Sequence, residues 1–171
     1  MNFHRSLLVL AVAVGVGTLS AQMPSDSAKE IAAIRDQWVS NWNAQKLEPI
    51  VELYAKGAVL LPATGERIRG RDAIEKYLRD AMVSSAGDLT VTSVTVRNSG
   101  NLAFDSGSFQ YTRKGGGTTI AGGATIGGGT VLAGGGQRQV KGSDLIVLGR
   151  GSDGKWLIEQ HASTEVPPAT Q

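Results

Sequence analysis

Cysteine is absent from the 171 residues of this chain. Without thiols the protein can form no disulfide, thiolate metal site or cysteine nucleophile, so the core alone must hold the fold. Histidine is almost as scarce, because only His4 and His161 occur. No HExxH pattern or group of Asp and His residues accompanies His161, and Glu159 beside it would supply at most part of a site. We therefore expect no bound metal.

An excess of charge of one sign is also missing. The chain has 17 Lys and Arg residues against 15 Asp and Glu, a formal net charge of +2. No basic run and no basic patch interleaved with aromatic residues is present, so nucleic-acid binding is not expected. The nucleotide-binding patterns GxxxxGK[ST] and GxGxxG between a strand and a helix are absent as well, and we expect no cofactor.

A long hydrophobic run is found only at the N-terminus. Residues 7–16 are largely apolar, follow a short positive start at His4 and Arg5, and precede small residues up to Ala21. This layout is typical of a secretory signal peptide. The alternative is an uncleaved anchor, but the run is shorter than the roughly 20 residues that span a bilayer. We expect residues 1–21 to be removed, leaving residues 22–171 as a single exported domain, periplasmic or secreted, with no stable membrane anchor.

Helical periodicity opens the mature chain. Ser27 and Glu30 form the pattern of a capping box, and the helix they begin is expected to end near residues 43–45. A short second helix, an extended segment at residues 58–62 and a third helix starting near Arg71 are predicted next. The apolar faces of the three helices are expected to carry Ile31, Ile34, Trp38 and Trp42; Leu47, Ile50, Val51 and Tyr54; and Ile74, Tyr77, Leu78 and Met82.

After Gly87 the apolar period changes to two, which predicts strands at residues 89–96, 102–113, 139–150 and 155–164. Helices followed by an antiparallel meander are typical of an α+β fold.

A glycine-rich block separates the second and third of these strands. Residues 115–136 contain eleven glycines and repeat with a period of six. A single hexapeptide coil is too little for a β-helix. We interpret the block as an insertion in the hairpin that joins the two strands, and we expect its deletion to leave the fold intact.

Four stretches together resemble a known family: WVSNWNAQKLEPIVELYAKGAVLLP, RGRDAIEKYL, LAFDSGSFQYT and DGKWLIEQHAS. Their order and spacing are similar to the SnoaL-like and ketosteroid isomerase-like branch of the nuclear transport factor 2-like superfamily, and closest to its bacterial members of unknown function. The resemblance implies a cone-shaped roll, in which a strongly curved antiparallel sheet wraps three N-terminal helices and leaves a pocket at its open end. It also implies a homodimer through the sheet.

The resemblance argues against steroid-isomerase chemistry by the family's usual route. The family's catalytic tyrosine falls on Trp38 and its base near Pro62, and a proline cannot accept a proton. The family's third position, a hydrogen-bonding acid, falls on Asp144. We expect Asp144 either to be a buried acid of the pocket or to be a solvated residue at the start of a strand.

The last strand offers the best polar candidates. Strict alternation places Glu159 and His161 on one face, where a histidine beside a carboxylate could act as a general base. Alternatively, His161 is a hydrogen-bonded wall residue or faces a dimer partner. Asp105 could be a pocket acid or a hydrogen-bonding residue at a sheet edge, and we favour the edge.

Aromatic and aliphatic residues of the helices and first strand are the expected pocket walls, namely Trp38, Trp42, Tyr54, Leu60 and Tyr77. The sequence thus favours an exported protein that binds a small apolar or aromatic molecule. Two alternatives stay open: an isomerase, cyclase or hydrolase that uses His161 with Glu159 or Asp144, and a dimerising scaffold without a ligand.

Overall fold

The computed structural model describes residues 26–114 and 137–167. The predicted signal peptide and the glycine-rich block lie outside these residues. Within the described part of the chain, no helix is long and apolar enough to cross a membrane.

The predicted helices are confirmed as α1 (Asp26–Asn43), α2 (Leu47–Glu52) and α3 (Arg71–Val83). Helix α1 stops where Gln45 takes a left-handed conformation (φ 56°), a common way for a helix to end. The expected capping box is wrong: Ser27 lies inside α1, and Glu30 accepts a 3.0 Å hydrogen bond from Trp156 Nε1. Tyr54 is not part of α2 but begins the first strand.

The strands of the described residues form one six-stranded sheet in the order β2-β1-β6-β5-β4-β3. They are β1 (Tyr54–Leu61), β2 (Ile68–Arg69), β3 (Thr90–Ser99), β4 (Leu102–Arg113), β5 (Arg138–Arg150) and β6 (Trp156–Glu165). Strands β3 to β6 make the predicted antiparallel meander. The sheet is mixed rather than wholly antiparallel, because β1 pairs in parallel with β6.

Two strands carry one residue more than their partner. Ser93 pairs with Gly107 and Thr95 with Ser106, which leaves Val94 without a partner in β4. Ile158 pairs with Leu148 and Gln160 with Val147, which leaves Glu159 without a partner in β5. Such β-bulges bend a strand and increase its twist, and here they help to curve the sheet.

The helices pack into the concave side of the curved sheet and bury the core there. The largest fully buried apolar side chains come from the three helices and from β1, β5 and β6, and they are Ile31, Ile50, Tyr54, Ile74, Leu148 and Ile158. The convex side of the sheet instead leaves Leu102, Phe104 and Leu145 exposed. The concave side is therefore where a site can form.

Candidate functional site

A cavity of about 470 Å³ lies between α1, α3 and the concave side of the sheet. Its walls include four of the residues expected from the sequence, Trp38, Trp42, Leu60 and Tyr77. Trp38 and Trp42 stack nearly parallel, with ring centroids 5.1 Å apart. Tyr54, which was also expected in the wall, is completely buried and lies behind Trp38.

A buried ion-pair cluster forms the floor of this cavity. The guanidinium of Arg35, on α1, donates hydrogen bonds to Asp105 Oδ2 and, at 2.7 Å, to Asp144 Oδ2. It also donates to the main-chain oxygen of Asp105 at 3.3 Å. All three side chains are at least 94% buried, and both Arg35 and Asp144 border the cavity. The guanidinium thus ties the long helix to the neighbouring strands β4 and β5.

Asp105 does not take the sheet-edge position favoured from the sequence. It lies on β4 in the middle of the meander, is 1% exposed, and accepts hydrogen bonds from Arg35 and from Ser93 Oγ. It does not border the cavity but lies beneath Arg35. Its position makes it a buried counter-ion for Arg35.

The cluster is incompletely satisfied. It has one formal positive and two formal negative charges, and the Oδ1 atoms of Asp105 and Asp144 are buried without a hydrogen-bond partner among the described residues. Buried carboxylate oxygens normally have partners, and a native structure leaves few of them unpaired. Asp144 is the one of the two that borders the cavity. Because its Oδ1 atom is itself shielded beside Gly107, the acceptor left for a molecule in that space is the second lone pair of Oδ2, which already accepts one hydrogen bond from Arg35.

A chain of hydrogen bonds leads from Trp38 to His161. Trp38 Nε1 donates to Tyr54 Oη at 3.1 Å, and Tyr54 Oη lies 2.7 Å from His161 Nδ1. Burial raises the pKa of Tyr54, so its hydroxyl keeps its proton. The three side chains come from α1, β1 and β6, and the hydrogen bonds among them hold the imidazole ring in place at the cavity floor.

His161 is uncharged near neutral pH. Burial, followed by the positive charge of Arg35, lowers the pKa of His161 to about 4. Its Nε2 atom lies 3.9 Å from Asp144 Oδ2, close but beyond hydrogen-bond distance. The floor of the cavity thus places a neutral imidazole beside a carboxylate.

Glu159 does not accompany His161, and the strict alternation predicted for the last strand is wrong. The bulge at Glu159 puts two successive residues, Glu159 and Gln160, on the exposed side. Ile158 and His161 are consequently both buried. The Glu159 carboxylate lies against Gly149, away from the cavity.

Sequence reasoning missed Arg35, although a signal was available. Arg35 is four residues after Ile31 and three before Trp38, so it belongs to the apolar face of α1. Asp105 and Asp144 likewise occupy inward positions of their strands, as the burial pattern shows. One basic and two acidic residues in inward positions predict a buried ion pair.

Metal coordination finds no support in residues 26–114 and 137–167, where no three His, Cys, Asp or Glu side chains are grouped to hold an ion.

Comparisons with known proteins agree with this architecture. A family model described as a SnoaL-like domain matches residues 36–157. A ketosteroid isomerase-like protein from Erwinia carotovora atroseptica SCRI1043 superposes with a TM-score of 0.65 at 16% identity, over 82% of this chain and 96% of that one. An NTF-2 like protein of unknown function from Shewanella oneidensis MR-1 superposes with a TM-score of 0.60 at 15% identity, over 81% and 98% of the two chains.

A third solved structure is that of a candidate dehydratase of the NTF2-like family from Streptomyces avermitilis. It has a TM-score of 0.63 and 11% identity, over 85% of this chain and 100% of that one. At these identities the three structures share the fold alone with this chain. No curated protein matches it at a significant level.

Proposed function

The chain belongs to the SnoaL-like domain family, and from this premise we propose that it binds a small, largely apolar molecule in the cavity between α1, α3 and the sheet. The observation that carries the proposal is the composition of that cavity. Aromatic and aliphatic side chains form most of its wall, and its polar floor is a small fixed group, Arg35, Asp144 and His161, the usual character of a small-molecule site.

A cavity-filling substitution tests this proposal. Ala81, on α3, borders the cavity, whereas Val83 on the same helix is 76% exposed. Sterols, polyketides, aromatic acids and lipids are screened by thermal shift against the unaltered protein, Ala81→Trp and, as the control, Val83→Trp. A ligand at 100 times its Kd adds about 2.7 kcal/mol to the free energy of unfolding.

We expect a compound that raises the Tm of the unaltered protein and of Val83→Trp but not of Ala81→Trp. A compound that raises all three equally binds elsewhere and contradicts the proposal, as does a screen without any shift.

A proton-transfer enzyme is a second candidate, supported by the Asp144 carboxylate at the cavity beside a neutral His161. Asp144 would accept a proton from a carbon next to a carbonyl, and the electron pair would move to the carbonyl oxygen, stabilised by the imidazole N–H. A pKa of about 4 argues against His161 as the base. One structural neighbour is itself a candidate dehydratase. We expect a bound ketone to take up deuterium from D₂O in the unaltered protein. In Asp144→Asn the ketone should still bind but take up no deuterium. Unchanged uptake in this variant contradicts the enzyme candidate.

Export and dimerisation complete the proposal. The N-terminal pattern supports removal of residues 1–21, which mass spectrometry of the protein recovered from its native host would show.

The exposed apolar side chains of Leu102, Phe104 and Leu145 on the convex side support pairing of two copies through the sheet. The third possibility, a scaffold without ligand, would predict a dimer and an unresponsive cavity.

A further inference from the structure

We propose that the cavity floor selects a ligand carrying a hydroxyl group, which accepts a hydrogen bond from His161 Nε2 and donates one to Asp144. The inference rests on the proposed binding function and names the chemical class of its ligand. It follows from the direction of the hydrogen bonds around His161 and from the position of the neighbouring carboxylate.

The hydrogen-bond partners of Tyr54 determine which nitrogen of His161 carries the hydrogen. An indole N–H can only donate, so Tyr54 Oη accepts from Trp38. The hydroxyl of Tyr54 is completely buried, and within the described residues its other polar neighbour is His161 Nδ1. If Nδ1 carried the hydrogen, the Tyr54 hydrogen would be buried without an acceptor, which is costly. Tyr54 therefore donates to Nδ1, and a neutral His161 carries its hydrogen on Nε2.

The Nε2–H group of His161 and the Asp144 carboxylate both have hydrogen-bonding capacity left at the cavity floor. Nε2 makes no hydrogen bond within the described residues, and Asp144 Oδ2 is 3.9 Å away. Asp144 Oδ2 accepts one hydrogen bond, from Arg35, and has a second lone pair, whereas Oδ1 is shielded from the cavity. The floor thus presents one unused N–H donor next to a carboxylate with unused acceptor capacity.

A hydroxyl group on a ligand can bind His161 Nε2 and Asp144 Oδ2 at the same time. An oxygen about 2.8 Å from each of two atoms that are 3.9 Å apart sees them at an angle of about 90°, which a hydroxyl can serve with one lone pair and its hydrogen. An ether can only accept, so it can bind the N–H of His161 but donates no hydrogen bond to Asp144. An ammonium group can only donate, so it cannot accept from the N–H of His161. A carboxylate meets the like charge of Asp144.

Trp38 and Tyr54 are positioning residues in this scheme, because they set the tautomer of His161. The tautomer is measured by ¹⁵N NMR of histidine-labelled protein, whose two histidines are distinguished with the variant His161→Gln. We expect a neutral ring with hydrogen on Nε2, and a mixture of tautomers in Tyr54→Phe. The matched control is Ser85→Ala, which removes another buried hydroxyl that accepts from a tryptophan N–H, that of Trp42, without touching His161. Hydrogen on Nδ1 in the unaltered protein overturns the inference whether or not any ligand binds.

Binding is tested by calorimetry with three probes on one scaffold: 2-(2-naphthyl)ethanol, its methyl ether and 2-(2-naphthyl)ethylamine. We expect the alcohol to bind at least tenfold more tightly than either analogue, because a hydrogen bond to a charged group is the stronger kind. In Tyr54→Phe the preference for the alcohol should fall severalfold, while Ser85→Ala should keep it. Equal binding of alcohol and ether leaves the binding function standing and overturns the hydroxyl inference. Failure of all three probes to bind contradicts the binding function itself.

Discussion

Replacing Arg35 by methionine is the sharpest test of the buried cluster. Methionine keeps much of the apolar stem but removes the cation that two carboxylates share. Removing one partner of a buried ion pair typically costs about 3–5 kcal/mol, because the remaining charge is left uncompensated. For a chain of this size this corresponds to a loss of roughly 6–20 °C in Tm.

The assay is urea unfolding followed by circular dichroism, which gives the free energy of unfolding. The control is Arg79→Met, which removes an arginine from an exposed i,i+4 pair with Glu75 on α3. Exposed pairs contribute about 0–1 kcal/mol, so this variant should be nearly as stable as the unaltered protein.

A triple variant protects the test against a simple failure to fold. It combines Arg35→Met with Asp105→Asn and Asp144→Asn, so that no formal charge remains in the cluster. Replacing every charged member of a buried ion-pair cluster by a neutral residue lowers the free energy of unfolding far less than removing one partner alone. We expect the triple variant to recover most of the stability lost by Arg35→Met. The reasoning is refuted if Arg35→Met costs no more than Arg79→Met, or if the triple variant is less stable than Arg35→Met.

Three further predictions concern acid stability, association and the glycine-rich block. The pKa of folded His161, about 4, lies below its unfolded value of about 6.5, so the unfolded state binds more protons between these values. The free energy of unfolding should therefore fall by on the order of 3 kcal/mol as the pH is lowered through this range, and His161→Gln should lack this component. Phe104→Asp should convert the proposed dimer to a monomer in sedimentation velocity, because it puts a charge on the exposed apolar side of the sheet. Deleting residues 116–135 should change the free energy of unfolding by less than about 1 kcal/mol, since Arg113 and Arg138 already pair across β4 and β5 and a short turn can join them.

Each of these predictions has a contradicting result. A stability profile of His161→Gln that parallels the unaltered protein between pH 4 and 6.5 would contradict the histidine assignment. A dimer that persists in Phe104→Asp, or that is also lost in the control Val83→Asp on α3, would rule out the sheet as its interface. A large loss of Tm on deletion would mean that the glycine-rich block contributes to the fold.

Periodicity was sufficient to predict most elements of this fold. Strand β4 has the predicted limits, and α3 begins at the predicted Arg71. These elements are read from local patterns, because each has a single buried face of regular period. The parallel pairing of β1 with β6 joins residues about 100 positions apart, and no local pattern reports it.

The site was only partly predictable for the same reason. The pocket walls on α1 and α3 follow the apolar stripes of the helices. The separation of Glu159 from His161 depends on one extra residue in β6, and neither glycine nor any other turn residue marks that bulge. Arg35 could have been recognised from its helical phase, but its partners are set by the long-range approach of α1 to the centre of the sheet.

The bulges at Val94 and Glu159 have a consequence for how such a protein can diverge. Both extra residues are exposed, and removing either one would leave every other cross-strand pair with its present partner. Losing one would flatten the sheet without exchanging a single inward side chain. The curvature of the sheet and the polar side chains of the cavity floor are therefore encoded at separate positions, so single-codon insertions and deletions could change the depth of the cavity while its floor stays the same.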